Sequence, residues 1–213
     1  MPERAIRRDK DALIVVDVQN DFCPGGALEV PEGDQVVAPA NRVMKLFRHV
    51  VLTQDWHPRG HVSFASSHEG RKPMEKIELD YGEQTLWPDH CVPGTEGARF
   101  HPGLQTEAAT LIVRKGWDPK IDSYSAFFEN DHETPTGLEG YLRTQGIQRV
   151  FLLGLALDVC VGYSALDARR LDFPTVVLRD GARGIDVGGS LDRMLARMKE
   201  AGVEMGKTAE LVD

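Results

Sequence analysis

Residues 150–160 read Val-Phe-Leu-Leu-Gly-Leu-Ala-Leu-Asp-Val-Cys, an apolar run that ends on a thiol. Val150–Leu153 is short, continuous and rich in aliphatic residues, the pattern of a strand buried on both faces of a covered parallel sheet. Ala12–Val16, Val50–Thr53 and Thr110–Val113 have the same character, and a fifth run, Thr175–Leu178, follows Pro174. Helical patterns fall between them. Residues 34–48 place Val36, Val37, Ala40, Val43, Met44 and Phe47 on one stripe. Residues 136–145 stop at Gly146, 158–170 follow the thiol run, and 190–201 stop at Gly202. Strand and helix therefore alternate, which predicts an α/β, doubly wound, mostly parallel sheet flanked by helices, with a short last strand near 203–205. The rhythm breaks between Asp55 and about Gly103, a stretch of Pro, Gly, His and charged residues with Trp56 and Trp87. A loop of that length inside one domain reads as an elaborated active-site loop.

Composition sets limits on function. The 213 residues suit a single domain over 1–213, with 41% hydrophobic and 27% charged residues. The net charge of -8, with both signs interspersed, argues against nucleic acid or an anionic membrane as the main partner. No apolar run reaches spanning length, and the six-residue apolar strand after the charged start is too short for a signal-peptide core. Three unpaired-looking cysteines imply a reduced, cytoplasmic protein.

In an open α/β sheet, ligands bind outside the carboxyl ends of the strands. The first strand runs into Asp17, the second into Asp55-Trp56-His57, the third into Lys115 and the fourth into Cys160. Each alone is an ordinary turn, surface or packing residue; the fold brings all four to one edge. Asp158 reads as the N-cap of the helix that Cys160 begins, where the helix dipole, free amides and a nearby Lys115 ammonium favour a thiolate. Asp17 is placed to take the thiol proton and return it to a leaving amine. Cys23 and Cys91 lack that setting and read as structural. In the long loop, Asp55 and His57 share one face of an extended chain, and His61 and His90 are further imidazoles, while His68 and His101 read as incidental. Carboxylate and imidazole donors suit zinc, iron or manganese, and three protein ligands leave open positions.

The same segments carry a resemblance. Ala-Leu-Ile-Val-Val-Asp-Val-Gln-Asn-Asp-Phe-Cys-Pro-Gly-Gly-Ala-Leu from Ala12, Thr-Gln-Asp-Trp-His-Pro from Thr53, Trp-Pro-Asp-His-Cys-Val-Pro-Gly-Thr from Trp87 and Gly-Leu-Ala-Leu-Asp-Val-Cys-Val from Gly154 resemble the nicotinamidase/pyrazinamidase branch of the isochorismatase-like cysteine hydrolases. The resemblance implies hydrolysis of nicotinamide, and of pyrazinamide, to the acid and ammonia, a step of NAD salvage. It implies a catalytic triad of Asp17, Lys115 and Cys160. It implies one divalent metal, zinc first and iron or manganese as alternatives, held by Asp55, His57 and His90, with His61 as a fourth contact that varies among relatives. It implies a cis peptide before Ala156, with the amides of Ala156 and Cys160 as oxyanion hole. Phe22 and Trp87 would sandwich the pyridine ring, with Tyr124 and Gln19 also binding substrate. Self-association into a homo-oligomer is compatible with it. Leu157 departs from the threonine common in relatives. A metal-free ureido or carbamoyl amidase would not need the Asp55, His57 and His90 set, a vinyl-ether isochorismatase would not need Cys160, and a redox module would not explain Lys115 and Asp17.

Overall fold

The computed structural model describes residues 4–212. Its strands are β1 (Arg4–Ala5), β2 (Asp11–Val16), β3 (His49–Asp55), β4 (Lys76–Leu79), β5 (Gly82–Thr85), β6 (Leu111–Lys115), β7 (Arg149–Leu155), β8 (Thr175–Arg183), β9 (Glu204–Gly206) and β10 (Leu211–Val212). Its α-helices are α1 (Val37–Met44), α2 (Leu138–Thr144), α3 (Cys160–Arg170) and α4 (Ser190–Glu200). Six strands form one sheet in the order β6-β3-β2-β7-β8-β9, every pair parallel. Counted along the chain, the first three sheet strands are laid down in one direction and the last three in the other. The winding therefore reverses between β2 and β7, which is where an open sheet leaves a crevice at its carboxyl edge.

The aliphatic runs build two cores, one on each face. Leu13, Val15, Leu52, Phe151 and Leu153 meet the stripe of α1, including Val37, Ala40, Val43 and Met44. Ala12, Ile14, Val16, Val150 and Leu152 meet Leu138 and Leu142 of α2, Val161 and Ala165 of α3, and Met194 and Met198 of α4. Successive residues of a strand point to opposite faces, so a continuous apolar run serves both cores. Thr110–Val113 does not follow that reading: β6 is an edge strand, and Ile112 is 47% exposed.

Gly154 sits at the switch point with φ +118, and a Cβ there would lie 2.7 Å from Val16 N in the neighbouring strand. Only glycine lets β2 and β7 approach so closely at the edge that carries the site. The stretch expected to be a single loop also contains the antiparallel hairpin β4–β5. Only β4, Lys-Ile-Glu-Leu, alternates, and over just four residues, while β5, Gly-Glu-Gln-Thr, has no apolar residue, so the hydrophobic period was too short to mark a hairpin. The rest of that loop is tied down by backbone bonds, among them Trp87 N to Ser63 O at 2.8 Å and His57 N to Cys91 O at 3.2 Å.

Candidate active site

Asp17 follows β2, Asp55 ends β3, Lys115 ends β6 and Cys160 begins α3 just after β7. The Lys115 ammonium is the hub. Its Nζ lies 2.9 Å from Asp17 Oδ2, 2.9 Å from the Ser123 carbonyl oxygen and 3.6 Å from Cys160 Sγ, and it donates a short hydrogen bond to Asp55 Oδ1. Lys115 and Asp17 are fully buried. Burial alone would strip the lysine of its proton, but Asp17 and Asp55 hold its pKa well above the usual lysine range. Asp17 has φ +47, a left-handed conformation unfavourable for a non-glycine residue and typical of functional positions. Thr53 Oγ1 donates to Asp17 Oδ1 at 2.6 Å, whereas Oδ2 receives no aligned hydrogen bond. One carboxylate oxygen, beside the ammonium and the thiol, is thus left to accept a proton.

Burial raises the Asp17 carboxyl against the pull of Lys115. Burial also raises Cys160 well above the usual thiol range; Lys115 opposes this, and the carboxylates of Asp17 and Asp55 add to it. The protein groups by themselves do not produce the lowered thiol pKa expected from the sequence, because burial outweighs the pull of the one ammonium and the two neighbouring carboxylates add to it. The helix start differs from expectation as well. Asp158 does not cap α3: the N-cap is Val159, with no side-chain cap bond. The Asp158 carboxylate instead accepts from Ile185 N, Asp186 N and Ser190 Oγ. The Leu155–Ala156 peptide is cis. Among the described residues, neither the Ala156 nor the Cys160 amide finds a backbone acceptor.

Next to this triad, three donors converge. His57 Nε2 and His90 Nε2 lie 3.5 and 3.7 Å from Asp55 Oδ2. His57 Nδ1 is held by the Gly116 carbonyl at 3.0 Å and His90 Nδ1 by the Pro88 carbonyl at 2.8 Å. Each carbonyl accepts a hydrogen bond from Nδ1–H, which keeps the proton on Nδ1 and turns the Nε2 lone pair inward, the usual support for a metal-binding imidazole. One carboxylate oxygen and two imidazole nitrogens, all buried and within 4.8 Å of one another, suit a divalent cation. Burial would lower His57, but Asp55 outweighs it and raises its pKa. Asp55 resists the upward push of burial and stays well below the usual carboxylate range because of Lys115 and His57. His61 stands apart. Its Nδ1 faces Ser63 Oγ at 2.8 Å and its Nε2 faces the Asp118 carbonyl at 2.9 Å, so both nitrogens are engaged by protein. It clusters with His57 and Asp122 rather than with Asp55 and His90.

A cavity opens over Cys160, Ala156, Asp55, His57 and His90, walled by Phe22, Trp87 and Tyr124. Trp87 Nε1 donates to Tyr124 Oη at 3.2 Å, which fixes the two rings against each other. Gln19 is not on this wall. Its amide donates to the carbonyls of Asp55 and Ala98 and accepts from Asp55 N at 2.8 Å, so it fixes the Asp55 backbone instead of touching a substrate. Leu157 is fully buried in the core beside α3. Cys23 and Cys91 are buried free thiols, both raised by burial, Cys23 to about 11.

Sequence reasoning missed several participants. Asp122 lines the cavity, 3.8 Å from His57 Nε2, with nothing in its local sequence to mark it. Leu28, Val30 and Ile185 complete the apolar wall from distant segments. Asp21 accepts from Cys91 N at 2.7 Å and Ala27 N at 3.1 Å, tying the His90 loop to the Phe22 loop. Its place within Asn-Asp-Phe-Cys-Pro-Gly-Gly, a loop needing a clamp, is the signal that was available.

The isochorismatase domain family matches residues 11–210. The nicotinamidase of Acinetobacter baylyi is 49% identical over 193 residues, 91% of this chain and 90% of that protein. Among solved structures, a nicotinamidase/pyrazinamidase of Acinetobacter baumanii superposes with a TM-score of 0.95 at 49% identity, covering 96% of this chain and 99% of the other. PnC1 from L. infantum, solved with nicotinate, gives 0.86 at 39% identity over 98% of both chains. The pyrazinamidase of Pyrococcus horikoshii, solved with zinc, gives 0.75 at 37% identity, covering 93% of this chain and 99% of that one.

Proposed function

The chain belongs to the isochorismatase domain family, and from that premise we propose that it is a nicotinamidase, hydrolysing nicotinamide, and pyrazinamide with it, to the acid and ammonia. The observation that carries the reading is the meeting, in one aromatic-walled cavity, of the Asp17–Lys115–Cys160 cluster with the inward-turned nitrogens of His57 and His90 on Asp55. An amidase needs the first group. A pyridine substrate gives the second its purpose.

The residues that would hold the metal are Asp55, His57 and His90. Zinc is the first choice, on the tetrahedral compatibility of one oxygen and two nitrogens with an open position, and iron or manganese suit the same donors. When bound, the ion supplies a Lewis-acidic anchor for the ring nitrogen. Phe22 and Trp87 hold the ring between them, with Tyr124 at its edge. The carboxamide then lies over Cys160. Asp17 Oδ2 takes the thiol proton as Sγ attacks the amide carbon, forming the C–S bond. The amides of Ala156 and Cys160 receive the developing oxyanion. As the C–N bond breaks, Asp17 passes its proton to the departing nitrogen, which leaves as ammonia. Water then gives a proton to Asp17 while its oxygen attacks the thioester carbon; the C–S bond breaks, and the proton returns to Sγ. Lys115 holds both carboxylates in place and lowers the energy of negative charge on Sγ.

The chain is read as one isochorismatase-like hydrolase domain over 1–213, acting in pyridine-nucleotide salvage in a reducing cytoplasm. Three buried free thiols support that compartment. Among the described residues, no helix is long and apolar enough to cross a membrane. Ammonia release from nicotinamide by the purified protein, with a ureido amide as control, is the direct test. Turnover of nicotinamide that stops on chelation and in Cys160→Ala is expected. Native-rate release by Cys160→Ala removes the nucleophile, and a fully active metal-free protein removes the metal.

A further inference from the structure

Asp158 lies two residues before the nucleophile and is only 4% exposed. A buried carboxylate needs partners, and the donors to Asp158 come from the connector between β8 and α4 and from Ser190, the first residue of α4. Oδ1 accepts from Ile185 N at 2.9 Å, and Oδ2 accepts from Asp186 N at 2.9 Å and from Ser190 Oγ. No cation pairs with it among the described residues. The other ties of the connector come from α4 at its far end, where Arg193 Nη1 donates to the Gly188 carbonyl at 2.6 Å, Leu191 N to the Asp186 carboxylate at 3.2 Å and Ser190 N to the Val187 carbonyl at 3.2 Å; Asp158 is its tie to the start of α3. Residues 186–189 are exposed, and Asp186, Gly188 and Gly189 all have positive φ. Ile185 is its one residue packed against the core below, and the same side chain lines the catalytic cavity with Phe22, Trp87 and Cys160. At Gly184 a Cβ would stand 3.0 Å from Asp158 Oδ1, so carboxylate and connector meet without spare room.

We propose that Asp158 is a positioning residue for substrate selection: its carboxylate clamps residues 185–190, and the clamp fixes Ile185 as a wall that sets the width of the ring-binding cavity. Hydrogen bonds to a buried carboxylate are charge-assisted and stronger than neutral ones, and a segment with few apolar contacts depends on them for its order. The inference rests on reading the cavity as the site for a pyridine carboxamide.

The test is Asp158→Asn with Ile185→Ala beside it. In Asp158→Asn a carboxamide nitrogen faces the Asp186 N–H, donor against donor, and the clamp opens. KM for nicotinamide is expected to rise about tenfold while kcat falls less than about threefold, the signature of lost binding rather than lost chemistry. Nicotinamides with an alkyl group on the ring are expected to gain relative to the parent in both variants. Amide hydrogen exchange across 184–190 is expected to accelerate in Asp158→Asn and to stay native in Ile185→Ala. Native exchange in Asp158→Asn, or a fall in kcat at constant KM, overturns the proposal. If Asp158→Asn does not fold, Ser190→Ala removes one of the three bonds; faster exchange across 184–190 with a raised KM supports the clamp, and native values of both overturn it. A wild-type protein inactive on nicotinamide refutes the substrate reading, and the exchange measurement still decides the clamp.

Discussion

Replacing Gly116 by alanine tests the metal centre through its support rather than its ligands. Gly116 has φ +67, and a Cβ built on it would lie 2.6 Å from His57 Nδ1. Ordinary carbon contacts sit at about 3.5–4.0 Å, so the imidazole would have to retreat by about 1 Å. It has nowhere to go. The ring is 1% exposed, 4.3 Å centroid to centroid from His61, and packed edge-on to Phe64 and His90. Metal–ligand distances tolerate only about 0.2 Å, so a shift of that size takes His57 out of coordination range or tilts its nitrogen away. The hydrogen bond from His57 Nδ1 to the Gly116 carbonyl is strained at the same time. Loss of such support typically costs 10- to 100-fold in metal affinity, and with the clash added about 100-fold, or roughly 2.7 kcal/mol, is expected. The left-handed alanine costs about 1 kcal/mol of folding stability, and the overpacking costs about 1–3 kcal/mol more. The expected result is therefore a protein that still folds, with a lowered melting temperature, and yields its metal to a weak competing chelator. Competition titration with metal analysis measures this directly. Native metal affinity in a folded Gly116→Ala protein would show that His57 does not hold the ion.

Lys115→Met leaves Asp17 and Asp55 facing one another without a cation, a loss of about 3–5 kcal/mol when a buried pair is broken, and nicotinamide turnover should fall by about 10²- to 10⁴-fold; a kcat within threefold of native, on the order of 0.7 kcal/mol, contradicts the role assigned to the ammonium. Gln19→Leu strands the Asp55 backbone N–H and C=O in the interior, and each unsatisfied group costs about 1–3 kcal/mol, so both the unfolding midpoint and metal affinity should drop; an unchanged denaturant midpoint refutes it. Burial holds the Glu129 carboxyl at about 7, and its Oε2 has no hydrogen-bond partner. A raised folded-state pKa means that this group stabilises the fold fully below the unfolded value and loses that contribution as pH rises through about 7, a difference of about 3 kcal/mol. Melting curves between pH 5 and about 8 should therefore decline more steeply for the native protein than for Glu129→Gln, and parallel declines count against the assignment.

The meeting of Asp17, Asp55, Lys115 and Cys160 was legible because parallel-strand physics is legible. Continuous apolar runs mark buried strands, the carboxyl ends of such strands share one edge, and Asp17, Asp55, Lys115 and Cys160 stand at those ends. Local sequence also marked His57 and His90 as imidazoles of an ordered loop. What it left open was direction and partnership. Asp158 looks like a helix cap in sequence and serves the connector after β8, because a side chain two residues before a helix can turn either way and only the neighbouring segment decides. Gln19 looks like a substrate contact and is consumed by the Asp55 backbone. His61 shares a loop with His57 and His90, yet both its nitrogens are met by protein. The hairpin β4–β5 is announced only by the four-residue alternation of Lys76–Leu79, with no matching period in its partner strand.

Sequence by itself determined the strands of the six-stranded sheet and the helices that cover it, their parallel arrangement and the chemical groups delivered to the sheet edge, since these follow from residue type and short-range period. Tertiary structure alone decided which nitrogen of each histidine points inward, which oxygen of Asp17 stays free for a proton, and which aliphatic side chains from residues 28, 30 and 185 close the cavity. Those are matters of orientation between segments far apart in the chain, and orientation is set by packing and hydrogen bonding across the fold.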